Sequence, residues 1–130
     1  MDRIEVDFIS PTRVKTVIGD KEIYSDVPAD KGGEGEYPKP LELFLASLGS
    51  CTALGLASLC KRKGIDTDEI ELSINYETDP ETGMIPKIEF HLELSEDIDA
   101  KTEKILKNTV AACKIKRVIT AQPEFEVTAE

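Results

Sequence analysis

Apolar and polar residues alternate singly at the start of the chain. Ile4, Val6 and Phe8 are separated by Glu5 and Asp7, which is the period of a half-buried strand. Ser10-Pro11 breaks the pattern. Arg13 to Ile18 and Glu22 to Ser25 read as two further short strands, with Gly19-Asp20 as a hairpin turn between them. From Val27 to Pro40 the periodicity disappears into Pro, Gly and alternating charge, so a loop is predicted. Loops of this length inside a compact domain are uncommon and often functional.

Leu41 to Lys63 then reads as a helix, with Pro40 near its first turn and Gly64 as a left-handed stop. Its middle is apolar on nearly every side. Ala46, Ser47, Gly49, Ser50, Ala53, Gly55, Ala57 and Ser58 let neighbouring backbones approach closely. A helix that is apolar all round has to be buried, which makes this one the expected centre of the molecule. Two alternating runs follow, Ile70 to Tyr76 and Ile88 to Leu94, with Asp79-Pro80-Glu81-Thr82-Gly83 as a turn between them. They predict an antiparallel pair, apolar on one face and charged on the other. From Asp99, a fair N-cap, a helix runs to about Cys113, with Ile105, Leu106, Thr109 and Val110 at helical spacing. A short segment from Lys114 to Ala121 comes next, and Glu124 to Thr128 is expected as a last strand. The order is α+β, and 130 residues suit a single domain over the whole chain. Two of the apolar segments are too extended to be covered within one subunit, so a homodimer is expected.

The formal net charge of −10 argues against nucleic acid, which needs a local excess of Lys and Arg. The densest basic runs, Lys61-Arg62-Lys63 and Lys114 to Arg117, sit at predicted helix C-termini, where cations meet the helix dipole favourably. Met1 to Ser10 does not resemble a signal peptide. No apolar run is expected to reach membrane-spanning length, so no membrane partner is expected. Three cysteines without a secretion signal point to reduced thiols in the cytoplasm. There is no CxxC pair, and the only histidine, His91, falls on the polar face of its strand. Neither a metal nor an organic cofactor is expected.

A thiol becomes a nucleophile when cations, hydrogen-bond donors or a helix N-terminus favour its thiolate. Cys51 lies about ten residues into its helix, beyond the reach of the first-turn dipole. Activation must therefore come through tertiary structure, with Arg13 the best candidate and Lys31, Lys39 and Arg117 as others. The plain alternative is an inert core thiol, since free cysteine is among the most buried residue types. Cys60 is about half a turn away from Cys51 around the helix and about 13.5 Å along it, so it cannot be a disulfide partner there. Cys113 is on another element. Local geometry neither forbids nor demands its contact with Cys51.

The segment Pro40-x-Glu-Leu-Phe-Leu-Ala-x-Leu-Gly-x-Cys51-Thr-Ala, with Lys-Gly-Ile at 63 to 65 and Ala111-Ala112-Cys113 downstream, resembles the OsmC/Ohr family. That family comprises osmotically induced proteins and organic hydroperoxide resistance proteins. The resemblance covers nearly the whole chain in element order. It implies an intertwined homodimer in which antiparallel sheets wrap two long central helices, with active sites at the subunit interface. It further implies that Cys51 attacks the peroxide O–O bond and becomes a sulfenic acid. Cys113 then condenses with it to a disulfide, and a dithiol (lipoyl or another thiol donor) reduces the bridge. Arg13 matches the position of the supporting arginine. The glutamate that orients it in many enzymatic members is replaced by Leu41, and the acid stands one residue on, at Glu42, with Glu34 or Glu36 from the loop as the alternative orienting acids. Lys114 occupies a position that is usually proline.

Two functions are thus carried forward. One is a cysteine peroxidase acting on organic hydroperoxides through Cys51, Cys113, Arg13 and Glu42. The other is a weakly active or non-catalytic dimer that binds a small apolar ligand at its interface.

Overall fold

Alternation becomes ladder wherever a neighbouring strand is available. The computed structural model describes residues 1–130, which divide into two compact units, Met1–Ala46 and Ser47–Glu130. In the first, strands β1 (Glu5–Ser10), β2 (Arg13–Ile18) and β3 (Lys21–Asp26) form an antiparallel meander in that order. The β2–β3 register is regular from Arg13↔Asp26 to Ile18↔Lys21, closed by Gly19 in the left-handed conformation. The strand prediction for β1 holds, but its half-burial does not. Every β1 residue is exposed, and Phe8 retains 87% of its accessible surface.

The loop after β3 contains one 3₁₀ turn, Ala29–Lys31, and folds back on itself through hydrogen bonds from Gly35 N to Val27 O (3.1 Å) and Gly33 N to Pro28 O (3.1 Å). Gly33 is required there. A Cβ at that position would stand 1.9 Å from the Val27 carbonyl oxygen. Ser25 Oγ and the Asp26 N–H both donate to Pro38 O, tying the end of the loop to β3.

Helix α1 (Pro40–Lys63) is continuous over 24 residues and stops at Gly64, whose φ of 69° is open to glycine at no steric cost. Only one stripe of it is buried: Leu45, Leu48, Thr52, Leu56 and Leu59, at three- and four-residue steps. The opposite side, with Ala53, Ala57, Ser58 and a Leu54 that is 72% exposed, has no cover within the chain. Burial on all sides is therefore not met by one copy of the chain. The expectation that no apolar run is long enough to span a membrane is also corrected. By length and composition alone α1 qualifies, with a mean hydropathy of 1.8, because its Ser, Thr and Gly residues interrupt the apolar run without adding charge. Such a test is also passed by helices that supply a core, as the second half of α1 does.

In the second unit, β4 (Ile70–Tyr76) and β5 (Ile88–Leu94) pair antiparallel. Ile70↔Leu94, Leu72↔Leu92 and Ile74↔Phe90 put apolar side chains opposite one another on one face. That face packs on a core made by Leu56, Leu59 and Cys60 of α1 with Leu106 and Val110 of α2 (Ala100–Ala111). Leu106 is wholly buried. Asp99 caps α2 by accepting a hydrogen bond from Thr102 N at 2.7 Å. The segment after Cys113 is a helix, α3 (Lys114–Thr120). Residues 124–128 do not form the expected strand. Their alternation leaves Phe125 and Val127 exposed, and no sheet edge within the chain takes them up.

Candidate functional site

Two clusters concentrate the chemistry, one in each unit. In the first, β2 and β3 set Arg13 opposite Asp26, and the following loop supplies Glu34 and Glu36. Arg13 Nη2 lies 2.9 Å from Asp26 Oδ2, 2.8 Å from Glu34 Oε2 and 3.0 Å from Glu36 Oε2. One nitrogen carries only two hydrogens, so the three carboxylates share them. The guanidinium also covers the Tyr37 ring at 4.9 Å, and Tyr37 stacks on Tyr24 with centroids 5.0 Å apart. Arg13 Nε is buried and has no partner.

Asp26 is the fixed point of the cluster. Its side chain is fully buried, and its two oxygens accept the N–H groups of Val27 (2.9 Å) and Glu36 (3.1 Å) besides the guanidinium. Burial pushes this carboxyl up. Arg13 and the two N–H groups more than offset that and hold it below the usual carboxylate range. Glu42 is engaged elsewhere: its Oε1 accepts the Lys39 N–H at 3.0 Å, at the start of α1. The carboxylates on Arg13 thus come from β3 and the loop.

In the second unit the two cysteines on separate elements come together. Cys51 of α1 and Cys113, between α2 and α3, line one cleft of about 480 Å³, with Thr52, Ile105, Thr109 and Lys114 among its walls. Both sulfurs are free thiols; Cys51 is partly exposed and Cys113 is 3% exposed. Cys113 is the N-cap of α3, although its side chain completes no capping hydrogen bond. Burial pushes the Cys113 thiol up. The N–H groups of Lys116 and Ile115, with the side chains of Cys51 and Thr52, outweigh it and bring the thiol below its ordinary value. Cys60 behaves in the opposite way. It is packed in the core, and burial, assisted by the charge of Glu69, pushes its thiol up.

Two residues of this cleft escaped the sequence reading. Lys114 was legible only as a departure from a family pattern, yet it is the cation among the cleft's walls. Thr52 was hidden by its neighbour. It is a polar residue with 2% exposure in the buried stripe of α1, and the signal available was a hydroxyl among apolar positions of one helix face.

Residues 33–128 match the family described as OsmC-like protein. The uncharacterized protein YmaD of Bacillus subtilis (strain 168) is 22% identical over 111 residues, which span 79% of this chain and 74% of the relative. A solved structure from Psychrobacter arcticus 273-4, provisionally described as an osmotic stress induced and detoxification response protein, superposes with a TM-score of 0.77. It has 22% identity, over 91% of this chain and 88% of that one. The organic hydroperoxide resistance protein OsmC of Legionella pneumophila superposes with a TM-score of 0.61 at 17% identity, over 92% and 88% of the two chains. At these identities the solved structures establish a shared α+β fold with antiparallel sheets and a long central helix.

Proposed function

The chain belongs to the OsmC-like protein family, and from that premise we propose that it is a thiol-dependent peroxidase for organic hydroperoxides, working in the cytoplasm. The observation that carries the reading is the convergence of Cys51 and Cys113 on one cleft, with Cys51 the more accessible sulfur. The Cys51 thiolate attacks the outer peroxide oxygen, the O–O bond breaks, and the alkoxide leaves and takes a proton. The Cys51 sulfenic acid then condenses with Cys113, releasing water and forming the disulfide. A dithiol returns both sulfurs to thiols. Ile105 and Gly55 in the cleft walls favour a substrate with an apolar substituent.

Arg13 is proposed as the guanidinium that stabilises the developing negative charge, its buried Nε–H being a donor without a partner. Asp26, Glu34 and Glu36 hold it, and Glu42 contributes by fixing the entry of α1. The uncovered, small-residue side of α1 supports a homodimer as the working form. One observation favours the second reading, a dimer that binds an apolar ligand with little turnover: Arg13 already faces three carboxylates, which oppose its attraction for an anion.

The test is a thiol count. Reduced protein receives one equivalent of cumene hydroperoxide, and free thiols are titrated over seconds to minutes. Loss of two thiols, prevented in Cys51→Ser, is expected; an unchanged count in the parent protein would leave the ligand-binding reading.

A further inference from the structure

Thr52 differs from Thr109 and Thr120, which also lie within helices. A threonine inside a helix commonly donates its hydroxyl to the carbonyl four residues back. Thr109 does so to Ile105 O at 3.0 Å, and Thr120 to Lys116 O at 2.7 Å. The Thr52 hydroxyl does not. It is buried and completes no hydrogen bond, an unfavourable condition for a polar group. It lies beside the Cys113 sulfur, in the cleft that both residues line. A neutral thiol is a weak acceptor, whereas a thiolate is a strong one. A donor left open in the dithiol form is therefore matched to a sulfur that becomes an anion during turnover.

We infer that Thr52 is a positioning residue whose hydroxyl donates to the Cys113 thiolate, making Cys113 the sulfur that is released when the Cys51–Cys113 disulfide is reduced. The disulfide half of this inference rests on the peroxidase reading, and the hydroxyl–thiolate half does not. The direction of reduction follows from burial as well. Cys51 is the sulfur open to an incoming thiol, and Cys113 is enclosed. A dithiol reductant attacks Cys51 Sγ as its thiolate. A sulfur–sulfur bond forms between reductant and Cys51, the Cys51–Cys113 bond breaks, and its electron pair departs on Cys113 Sγ, to which the Thr52 O–H donates a hydrogen bond. The second thiolate of the reductant then displaces Cys51, leaving a cyclic disulfide and a dithiol protein. A stabilised leaving thiolate accelerates the first displacement.

The titratable groups facing Cys113 in the cleft are Cys51 from α1 and Lys114 from α3, while α2 offers the uncharged Asn108 and Thr109. Only the hydroxyl is altered by Thr52→Val, which keeps the shape, and Thr52→Ser restores it. The deciding experiment follows thiolate absorbance at 240 nm against pH in protein carrying Cys51→Ser and Cys60→Ser, so that Cys113 is the sole thiol. It needs neither peroxide nor a disulfide, so its result is independent of peroxidase activity. Thr52→Val is expected to raise the midpoint by about one pH unit, and Thr52→Ser to return it toward the parent. An unchanged midpoint in Thr52→Val, or a raised one that Thr52→Ser fails to restore, overturns the assignment. In protein oxidised with diamide, Thr52→Val should slow reduction by dithiothreitol severalfold; an equal rate overturns the leaving-group role.

Discussion

The two units keep their reactive groups in place by opposite means. Around Arg13 the fixing is polar: a buried carboxylate, two backbone N–H groups and two loop carboxylates define where the guanidinium sits. Around Cys51 and Cys113 it is apolar. Leu56, Leu59, Leu106 and Val110 fix the helices, and the Thr52 hydroxyl is left without a hydrogen bond. In the cluster held by hydrogen bonds three carboxylates already engage Arg13 Nη2, and its Nε–H stays open. A cluster held by packing leaves its polar atoms available for a bond that forms only during reaction.

The most severe way to break the contrast is to remove the attacking sulfur. Cys51→Ser should reduce peroxide-driven thiol loss by at least about a thousandfold, measured by thiol titration, with the fold unchanged by circular dichroism. Next in size is the packing of the second unit. Leu106→Ala leaves a cavity at a fully buried site and should cost about 2–5 kcal/mol in urea unfolding. A loss below about 1 kcal/mol would show that this core does not fix the cysteine elements.

The polar cluster is probed by acid. The Asp26 carboxyl is held below its unfolded value, so its contribution to stability is present above the unfolded carboxylate pKa and is lost as pH falls through the lowered folded value. Asp26→Asn should be less stable than the parent at neutral pH, and the difference should shrink toward pH 2. Parallel stability curves for the two proteins would remove Asp26 from the account. The smallest effect is expected at Cys60. Its thiol is pushed up and packed in the core, so Cys60→Ala should leave the two-thiol stoichiometry intact while lowering the unfolding midpoint modestly.

The same division explains what could be read from the residues. Local patterns were sufficient for β2, β3, β4, β5 and both long helices, because alternation, Asp99 and Gly64 act through neighbours in sequence. The last strand failed because Glu124 to Thr128 alternates correctly but needs an edge that a single chain does not provide. The full burial of α1 failed for a related reason: small residues mark a close approach without saying by what. At the site, the cysteines were legible as a family pattern. Glu34 and Glu36 were legible too, as loop acids able to stand in for the displaced family glutamate, and both meet Arg13. Asp26 was not, because it is reached only through strand register. Thr52 was concealed by helix geometry, since adjacent residues point about 100° apart, and only Cys113 arriving from another element gives its hydroxyl a meaning.

The most direct measurement is a non-reducing peptide map of the protein after one equivalent of cumene hydroperoxide, with free thiols blocked before digestion. A single linked pair joining the peptides of Cys51 and Cys113, with Cys60 recovered as the blocked thiol, is the outcome this account requires. Linkage through Cys60, or recovery of Cys51 and Cys113 both as blocked thiols, would contradict it.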